Sequence, residues 1–183
     1  TVGSVPVQRN YRTNIYGQLL TSKVDVNVII EPEYEEPAHE LDALRKAALN
    51  GGEVTMTENV TSNFNVTKDM VLNMSGYTLT GTINVAEGAK LVVNNGNIVN
   101  TDKNTSGIVS NGNLTLNDVE ITSARHALRI ESGDAVINGG IYKVDPISKS
   151  TLHALNVGDD GKTANVTIKG GTFIGPKGTM ADS

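Results

Sequence analysis

The sequence predicts an all-β fold: a single-stranded parallel β-helix of about six coils, with an N-terminal capping helix and, before that helix, a β-hairpin. Three observations support this fold class. The 183 residues include 19 glycines but only 4% aromatic residues, and they are poor in the residues that build helical bundles. A hydrophobic share of 38% with a net charge of -5 is enough to form a core. A short apolar block recurs about every 20 residues.

Residues 1–30 predict the β-hairpin. Apolar and mostly β-branched residues alternate with polar ones, as is typical of strands, and a turn is placed at 14–18. A lone hairpin is only marginally stable in water, so we expect it to pair or pack with something else. The alternating apolar residues are Val5, Val7, Tyr11, Ile15, Val24, Val26, Val28 and Ile30.

Between the hairpin and the repeat, the sequence predicts a linker and one short helix. Residues 31–37 are acidic and bounded by prolines, which favours a stiff and soluble linker. Residues 38–49 place Leu41 and Leu44 on one apolar stripe, and Asn50 with the glycines that follow it supplies the end. A helix this short needs something to pack on. We expect it to cover the N-terminal end of the β-helix, where open strands invite aggregation.

The repeat over the rest of the chain is the strongest signal, and it defines a domain of capping helix and β-helix over 38–183. Each block reads apolar–any–apolar, followed by turn residues and a further apolar position, and another short strand separates the blocks. Block starts lie 18, 19, 23, 21 and 31 residues apart, which fits one β-helix coil per block. The blocks align as Val54–Met56, Leu72–Met74, Leu91–Val93, Leu114–Leu116, Ala135–Ile137 and Val166–Ile168. The further apolar position holds Leu79, Ile98, Ile121, Tyr142 and Phe173, with Thr61 as the weak member in the first copy.

The turn residues favour the same fold. Asn94, Asn117 and Asn138 fall in one column, followed by residues that tolerate the left-handed backbone of a sharp corner. Stacked asparagine amides can also hydrogen-bond from coil to coil. The alternative is a β-sandwich of antiparallel hairpins, which also has short strands and glycine-rich turns. Columns that repeat a residue type at a nearly constant period favour the β-helix.

Residues 38–175 resemble the pectate-lyase-type right-handed β-helix family. The resemblance rests on the repeat pattern and on a lid helix that is followed by Gly-Gly and a strand, within Leu44–Val54. It implies right-handed coils. It says little about chemistry, because one fold hosts many functions.

The stretch Val5–Gly17, with the sequence VPVQRNYRTNIYG, resembles a segment of fimbrillin-like surface proteins of anaerobic Gram-negative bacteria. The resemblance covers about the first 30 residues. Such proteins are exported lipoproteins that build fimbriae or act as adhesins. The resemblance therefore implies an extracellular location on the bacterial outer surface, with other fimbrial or surface subunits as partners.

The composition argues against several functions. Without cysteine there is no disulfide, thiolate metal site or cysteine nucleophile. The negative net charge argues against nucleic-acid binding, and no apolar run approaches the ~20 residues of a membrane span. A lyase would need clustered carboxylates for Ca²⁺ and a nearby base. In the column of Glu120, however, the repeat predicts Thr78, Asn97, Ile141 and Thr172, so we expect no catalytic residue, metal site or cofactor.

The best local cluster is Arg125, His126 and Arg129. The sequence His-Ala-Leu recurs at His153, and the repeat places the two histidines one above the other on adjacent coils. They could form a metal pair or a catalytic base. A stacked pair at a corner, with the arginines in solvent, is favoured because no acidic partner is fixed by the spacing. The planar fork of arginine suits carboxylates, so Arg125 and Arg129 are candidates for contacting an anionic sugar.

The last block spacing predicts an insertion near 143–152. Insertions in repeat proteins become loops on one face, often the binding face. Lys143 and Lys149 in this polar segment complete the candidate ligand-binding residues.

The sequence as a whole favours a non-enzymatic cell-surface or fimbria-associated module that acts in adhesion or glycan contact, with a glycan or host surface ligand as its partner. One alternative is a polysaccharide lyase or a glycan-hydrolysing β-helix enzyme fragment. Another is a purely structural stalk.

Overall fold

A computed structural model of the chain describes residues 40–144, 151–158 and 161–175. The chain divides after Pro37 into two units, and all described residues belong to the second. The expected hairpin at 1–30 and linker at 31–37 lie outside the described residues.

The described part contains one helix and thirteen strands. The helix α1 spans Glu40–Asn50 and precedes all of the strands. The strands are β1 Gly52–Thr55, β2 Val60–Thr61, β3 Phe64–Val66, β4 Met70–Asn73, β5 Thr78–Thr80, β6 Ile83–Val85, β7 Lys90–Asn100, β8 Ile108–Ser110, β9 Asn113–Ser123, β10 Leu128–Ile130, β11 Gly133–Val144, β12 Leu155–Val157 and β13 Ala164–Ile174.

The strands form a parallel β-helix, or β-solenoid, so the predicted fold class is confirmed. Each coil has three arms. The first arm contains β1, β4 and the first halves of β7, β9, β11 and β13, and the second arm contains β2, β5 and the second halves of those long strands. The third arm is a separate sheet of β3, β6, β8, β10 and β12. Between the first two arms the chain bends at residues with positive φ, such as Asn95 at 46° and Asp118 at 50°.

The number of coils is lower than the expected six. Six strands stack in the first arm, and the chain makes five coils between the first and the last of them. The first four coils, from β1 to β11, lie wholly within the described residues. The expectation was too high because it counted each apolar block as a complete coil.

The core consists of apolar columns that run from coil to coil. Along the first arm, Leu72, Val93, Leu116 and Ile137 stack in register and are at most 2% exposed. Neighbouring residues alternate between the core and the outer surface, as the pleat of a strand requires. The matching columns of the other arms contain Leu79, Ile98, Ile121 and Tyr142, and Ile83, Ile108 and Leu128.

Two of the predicted alignments are wrong. Leu72 pairs with Val93 and not with Leu91, so the first two blocks are displaced by two residues from the later ones. Val60, not Thr61, pairs with Leu79. A displacement by two residues leaves every side chain on the same face. The alternation of apolar and polar residues therefore could not reveal the first error.

An asparagine ladder runs along the end of the first arm. The predicted column of Asn94, Asn117 and Asn138 is confirmed, and Asn73 extends it. Each side-chain amide donates to the carbonyl oxygen of the asparagine one coil before it, at 2.7 Å from Asn94 to Asn73 and 2.6 Å in the two later steps. The amide of Asn73 donates to a carboxylate oxygen of Glu53 at 2.7 Å. These bonds tie five successive coils to one another.

The helix α1 packs on the first coil, as expected. Leu44, Ala47 and Ala48 are buried in the core, and Leu41 is half-buried against it. The backbone amide of Thr67 donates to the carbonyl oxygen of Ala48 at 2.8 Å. The helix extends one residue beyond the predicted 38–49 at its C-terminal end, while residues 38 and 39 lie outside the described residues.

A pair of neighbouring substitutions tests the register. Ile137 is fully buried between Leu116 and Ile168, whereas Val136 is only half-buried on the opposite side of β11. Ile137→Asp would bury an unpaired carboxylate, so we expect a loss of about 3–5 kcal/mol in unfolding free energy by urea denaturation. Val136→Asp should cost about 1 kcal/mol or less, within the range of surface changes. Equal losses in the two variants would contradict the register.

Replacing Leu41 and Leu44 together with lysine tests the cap. We expect lower thermal stability and self-association by light scattering, because the change uncovers the first coil. The matched control is Leu49→Lys, since Leu49 is 59% exposed on the same helix and should tolerate the change. A double variant as stable and monodisperse as the control would show that α1 is not a cap.

Candidate functional site

The turns between the second and third arms form one face of the solenoid, which we call the corner face. It comprises residues 62–63, 81–82, 101–107, 124–127 and 151–154. The turn in the third coil, 101–107, is longer than the turns before it. The block spacing of 23 residues in this part of the sequence indicates the extra length, although only the last spacing was interpreted as an insertion.

A groove of about 250 Å³ lies on the corner face of the first three coils. The residues that line it are three threonines, one serine, two asparagines, one glycine and Asp102, the one residue among them with a carboxylate. The sequence analysis did not predict this groove. The lining residues are Thr61, Ser62, Asn63, Thr80, Gly81, Asn100, Thr101 and Asp102.

Gly81, one of the lining residues, allows a close approach of the first two coils. Its φ is +145°, and a Cβ atom added there would lie 2.2 Å from the backbone oxygen of Ser62. Any side chain at this position would force the first two coils apart. The groove therefore depends on glycine at 81.

The wall formed by 101–105 is held by its own hydrogen bonds. Asn100 is buried, and its side-chain amide donates to the carbonyl oxygen of Thr105 at 2.7 Å. The backbone amide of Asp102 donates to the side-chain oxygen of Asn100 at 2.9 Å, and that of Asn104 donates to a carboxylate oxygen of Asp102 at 2.8 Å. Asx turns of this kind fix a loop without regular structure, so the wall is preorganised.

Arg125 adjoins this wall. Its Nη1 donates to the backbone oxygen of Asn104 at 3.4 Å, which places the guanidinium against the loop. Arg125 remains partly exposed. Arg125 does not line the groove, but the residue it contacts lies two positions after Asp102 in the same turn.

His126 and His153 stack as the repeat predicts. Their ring centroids are 5.6 Å apart with an interplanar angle of 9°, and the backbone amide of His153 donates to Nδ1 of His126 at 3.0 Å. Burial lowers the pKa of His126, and the charge of Arg125 lowers it further. The ring is therefore neutral near pH 7, with its proton on Nε2. Its role is to join the fourth and fifth coils.

Arg129 is held by a carboxylate. It lies on the third arm, and its Nε is 3.0 Å from Oε1 of Glu131. Glu131 also accepts a hydrogen bond from the amide of Asn111 at 2.7 Å and lies 3.9 Å from Nζ of Lys162. Arg129 is thus less available to a ligand than Arg125.

The remaining candidates are separated from this cluster. Lys143 lies on the second arm, where its Nζ is 3.6 Å from Oε1 of Glu120. Lys149 lies outside the described residues. The column of Glu120 contains Thr78, Asn97, Ile141 and Thr172, as predicted. Within 40–144, 151–158 and 161–175, no three His, Asp or Glu side chains converge on a possible metal position.

Residues 1–67 match the model of a family of unknown function, DUF6562. This match includes the helix α1 and the first coil but less than half of the chain. No curated protein matches the chain, and no solved structure matches it. Among the described residues, no helix has the length and apolarity needed to cross a bilayer.

The lowered pKa of His126 predicts a dependence of stability on pH. The folded state binds a proton at His126 less readily than the unfolded state, whose histidines titrate near 6.5. The neutral form of His126 therefore contributes fully to the free energy of unfolding above about pH 6.5. This contribution is lost as the pH falls toward the pKa of His126 in the folded state. The nearby charged and titratable groups, Arg125, Arg129 and His153, all disfavour a further positive charge.

The test is to compare denaturant unfolding of wild type and His126→Asn from pH 7.5 to 5. Asparagine keeps a side-chain oxygen that can accept from the amide of His153 but does not titrate. We expect wild type to lose more stability than the variant as the pH falls. Parallel curves would show that His126 does not couple folding to pH.

Proposed function

We propose that this chain is a non-enzymatic module that binds glycans at the bacterial outer surface, where it acts in adhesion alone or with other surface or fimbrial subunits. The resemblance of Val5–Gly17 to fimbrillin-like proteins supports the location and the partners. The resemblance of 38–175 to pectate-lyase-type β-helices bears on the fold alone, so the ligand class is argued from the corner face.

The observation that carries the proposal is that Arg125 contacts the turn 101–107, whose first two residues line the groove. Sugar hydroxyls both donate and accept hydrogen bonds, and the hydroxyl side chains of the groove can do the same. A guanidinium beside the groove suits the carboxylate of a uronic or sialic acid. We therefore infer an acidic glycan as the preferred ligand.

The carboxylates favour binding over cleavage. Glycosidases use two carboxyl groups that face each other across the scissile bond, whereas Asp102 is the one carboxylate in the groove lining. That carboxylate already accepts from the backbone amide of Asn104. The carboxylate of Asp102 therefore stabilises the loop 101–105.

A polysaccharide lyase, or a glycan-hydrolysing β-helix enzyme, is the second candidate. The observation that favours it is a neutral histidine, His126, close to Arg125, since a neutral imidazole can accept a proton and a guanidinium can stabilise a carboxylate. Against it, His126 is only 7% exposed, and its Nδ1 accepts from the amide of His153.

A glycan array of the whole chain, with and without Ca²⁺, tests the proposal. We expect binding of acidic glycans that weakens with salt, because exposed charge contacts are screened. Arg125→Ala should reduce affinity about tenfold, the effect of losing one charge-assisted contact of about 1.5 kcal/mol. Arg129→Ala should have a smaller effect because Glu131 already holds Arg129. The matched control is Lys143→Ala, which removes a cation from another face.

The same samples test cleavage. We expect no rise in ultraviolet absorbance from unsaturated products and no new reducing ends when uronic-acid polymers are incubated with the chain. Turnover that is lost in Arg125→Ala or His126→Asn would establish the enzyme instead. Binding that survives Arg125→Ala and is lost in Lys143→Ala would refute the corner-face site.

A further inference from the structure

Two opposite charges of the corner face lie on either side of Asn104. Oδ1 of Asp102 accepts from the backbone amide of Asn104 at 2.8 Å, and Nη1 of Arg125 donates to the backbone oxygen of the same residue at 3.4 Å. Oδ1 and Nη1 are therefore at most about 10 Å apart, because only the backbone of one residue lies between the two bonds. Within the part of the chain that the structure describes, neither charged group forms an ion pair.

Equivalent turns on adjacent coils position the two residues. Asn100 and Ser123 pair in register at the ends of β7 and β9. The side-chain oxygen of Asn100 accepts from the backbone amide of Asp102 at 2.9 Å, and that of Ser123 accepts from the backbone amide of Arg125 at 3.2 Å. The carboxylate and the guanidinium thus begin from the same point of two coils, which lie ~4.8 Å apart.

The loop does not need the negative charge of Asp102. Asparagine forms the same kind of turn with a neutral amide oxygen, and Asn100 does so two residues earlier. Asp102 is exposed, and among the described residues its second oxygen, Oδ2, has no protein partner. The charge and this oxygen therefore remain available to a ligand.

A ligand with negative charge alone does not match this pair. A uronic acid that binds Arg125 brings its carboxylate close to Asp102, and like charges at short range repel. A protonated amine on the same ligand changes this repulsion into an attraction. The other charged residue of the turn 101–107, Lys103, is exposed and does not line the groove.

We propose that the corner face binds a zwitterionic glycan, which carries a protonated amine close to its acid group. Asp102 accepts from the amine through Oδ2 and is the residue that determines specificity for it, while Arg125 donates to the acid group. This inference rests on the proposed function and narrows its ligand class from acidic glycans to those that also contain a free amino sugar.

The test compares three oligosaccharides of equal length by titration calorimetry, in a buffer in which the amine of a hexosamine is protonated. De-N-acetylated heparosan carries alternating amines and carboxylates, N-acetylated heparosan carries the carboxylates alone, and chitosan carries the amines alone. We expect the full chain to bind de-N-acetylated heparosan about fivefold more tightly than N-acetylated heparosan, the effect of one exposed ion pair.

Asp102→Asn should change the two heparosan affinities in different directions. The affinity for the de-N-acetylated form should fall about fivefold, because the ion pair with the amine is lost. The affinity for the N-acetylated form should rise, because the repulsion is removed. Asparagine keeps an oxygen for the backbone amide of Asn104, so we expect an unchanged melting temperature.

The matched control is Asp69→Asn. Asp69 is also exposed, and its Oδ1 also accepts from a backbone amide, that of Lys90 at 3.0 Å. It directly precedes β4, at a different corner of the coil. This variant should bind both heparosans like wild type.

Three results would overturn the inference. If Asp102→Asn tightens the binding of both heparosans equally, the ligand is a plain acidic glycan, and the proposed function stands without the amine. If chitosan binds as tightly as de-N-acetylated heparosan, the acid group is not recognised. If triglycine, a zwitterionic peptide, competes as strongly as de-N-acetylated heparosan, the site does not select a glycan. A chain that binds none of the three oligosaccharides and no glycan on the array would refute the proposed function, and this inference with it.

Discussion

The in-register stacking of one coil on the next is the constraint on which the rest of this structure depends. Each coil has three short arms, and no arm could hold its shape alone. Backbone bonds between coils fix the spacing, and the ladder through Asn73, Asn94, Asn117 and Asn138 fixes the register. Residues such as Asn95 and Asp118, with φ near 50°, make the corners that keep the ladder aligned. A slip by one residue would turn every core side chain outward.

This constraint explains why the candidate site lies on turns. The arms must match from coil to coil, so an extra residue can be accommodated only between them. The longer turn at 101–107 uses this freedom: it builds one wall of the groove and carries the backbone oxygen that Arg125 contacts. Rigid arms then hold the groove and Arg125 at fixed positions, a known division of labour between scaffold and loop.

The sequence predicted the arms better than the site, for a physical reason. Burial imposes a period of two on strands, so the columns through Ile98 and Leu116 were readable, and the stacked histidines followed from the repeat. The displacement by two residues at Leu72 was invisible because it preserves that period. The groove depends on hydrogen bonds inside one irregular loop. The ion pair of Arg129 with Glu131 joins a residue of β10 to the turn that directly follows it. Neither leaves a periodic signal.

The first and last described coils differ in how their core faces are covered. Each coil buries the core face of the one before it and exposes its own, so the number of coils is limited only by what covers the last one. At the N-terminal end a different element, α1, performs this task, and its apolar stripe is visible in the sequence. At the other end, Val157 and Ile168 continue the apolar columns without a change in chemistry. A cap that differs from the repeat covers the first coil, whereas Val157 and Ile168 in the last described coil stay about half exposed.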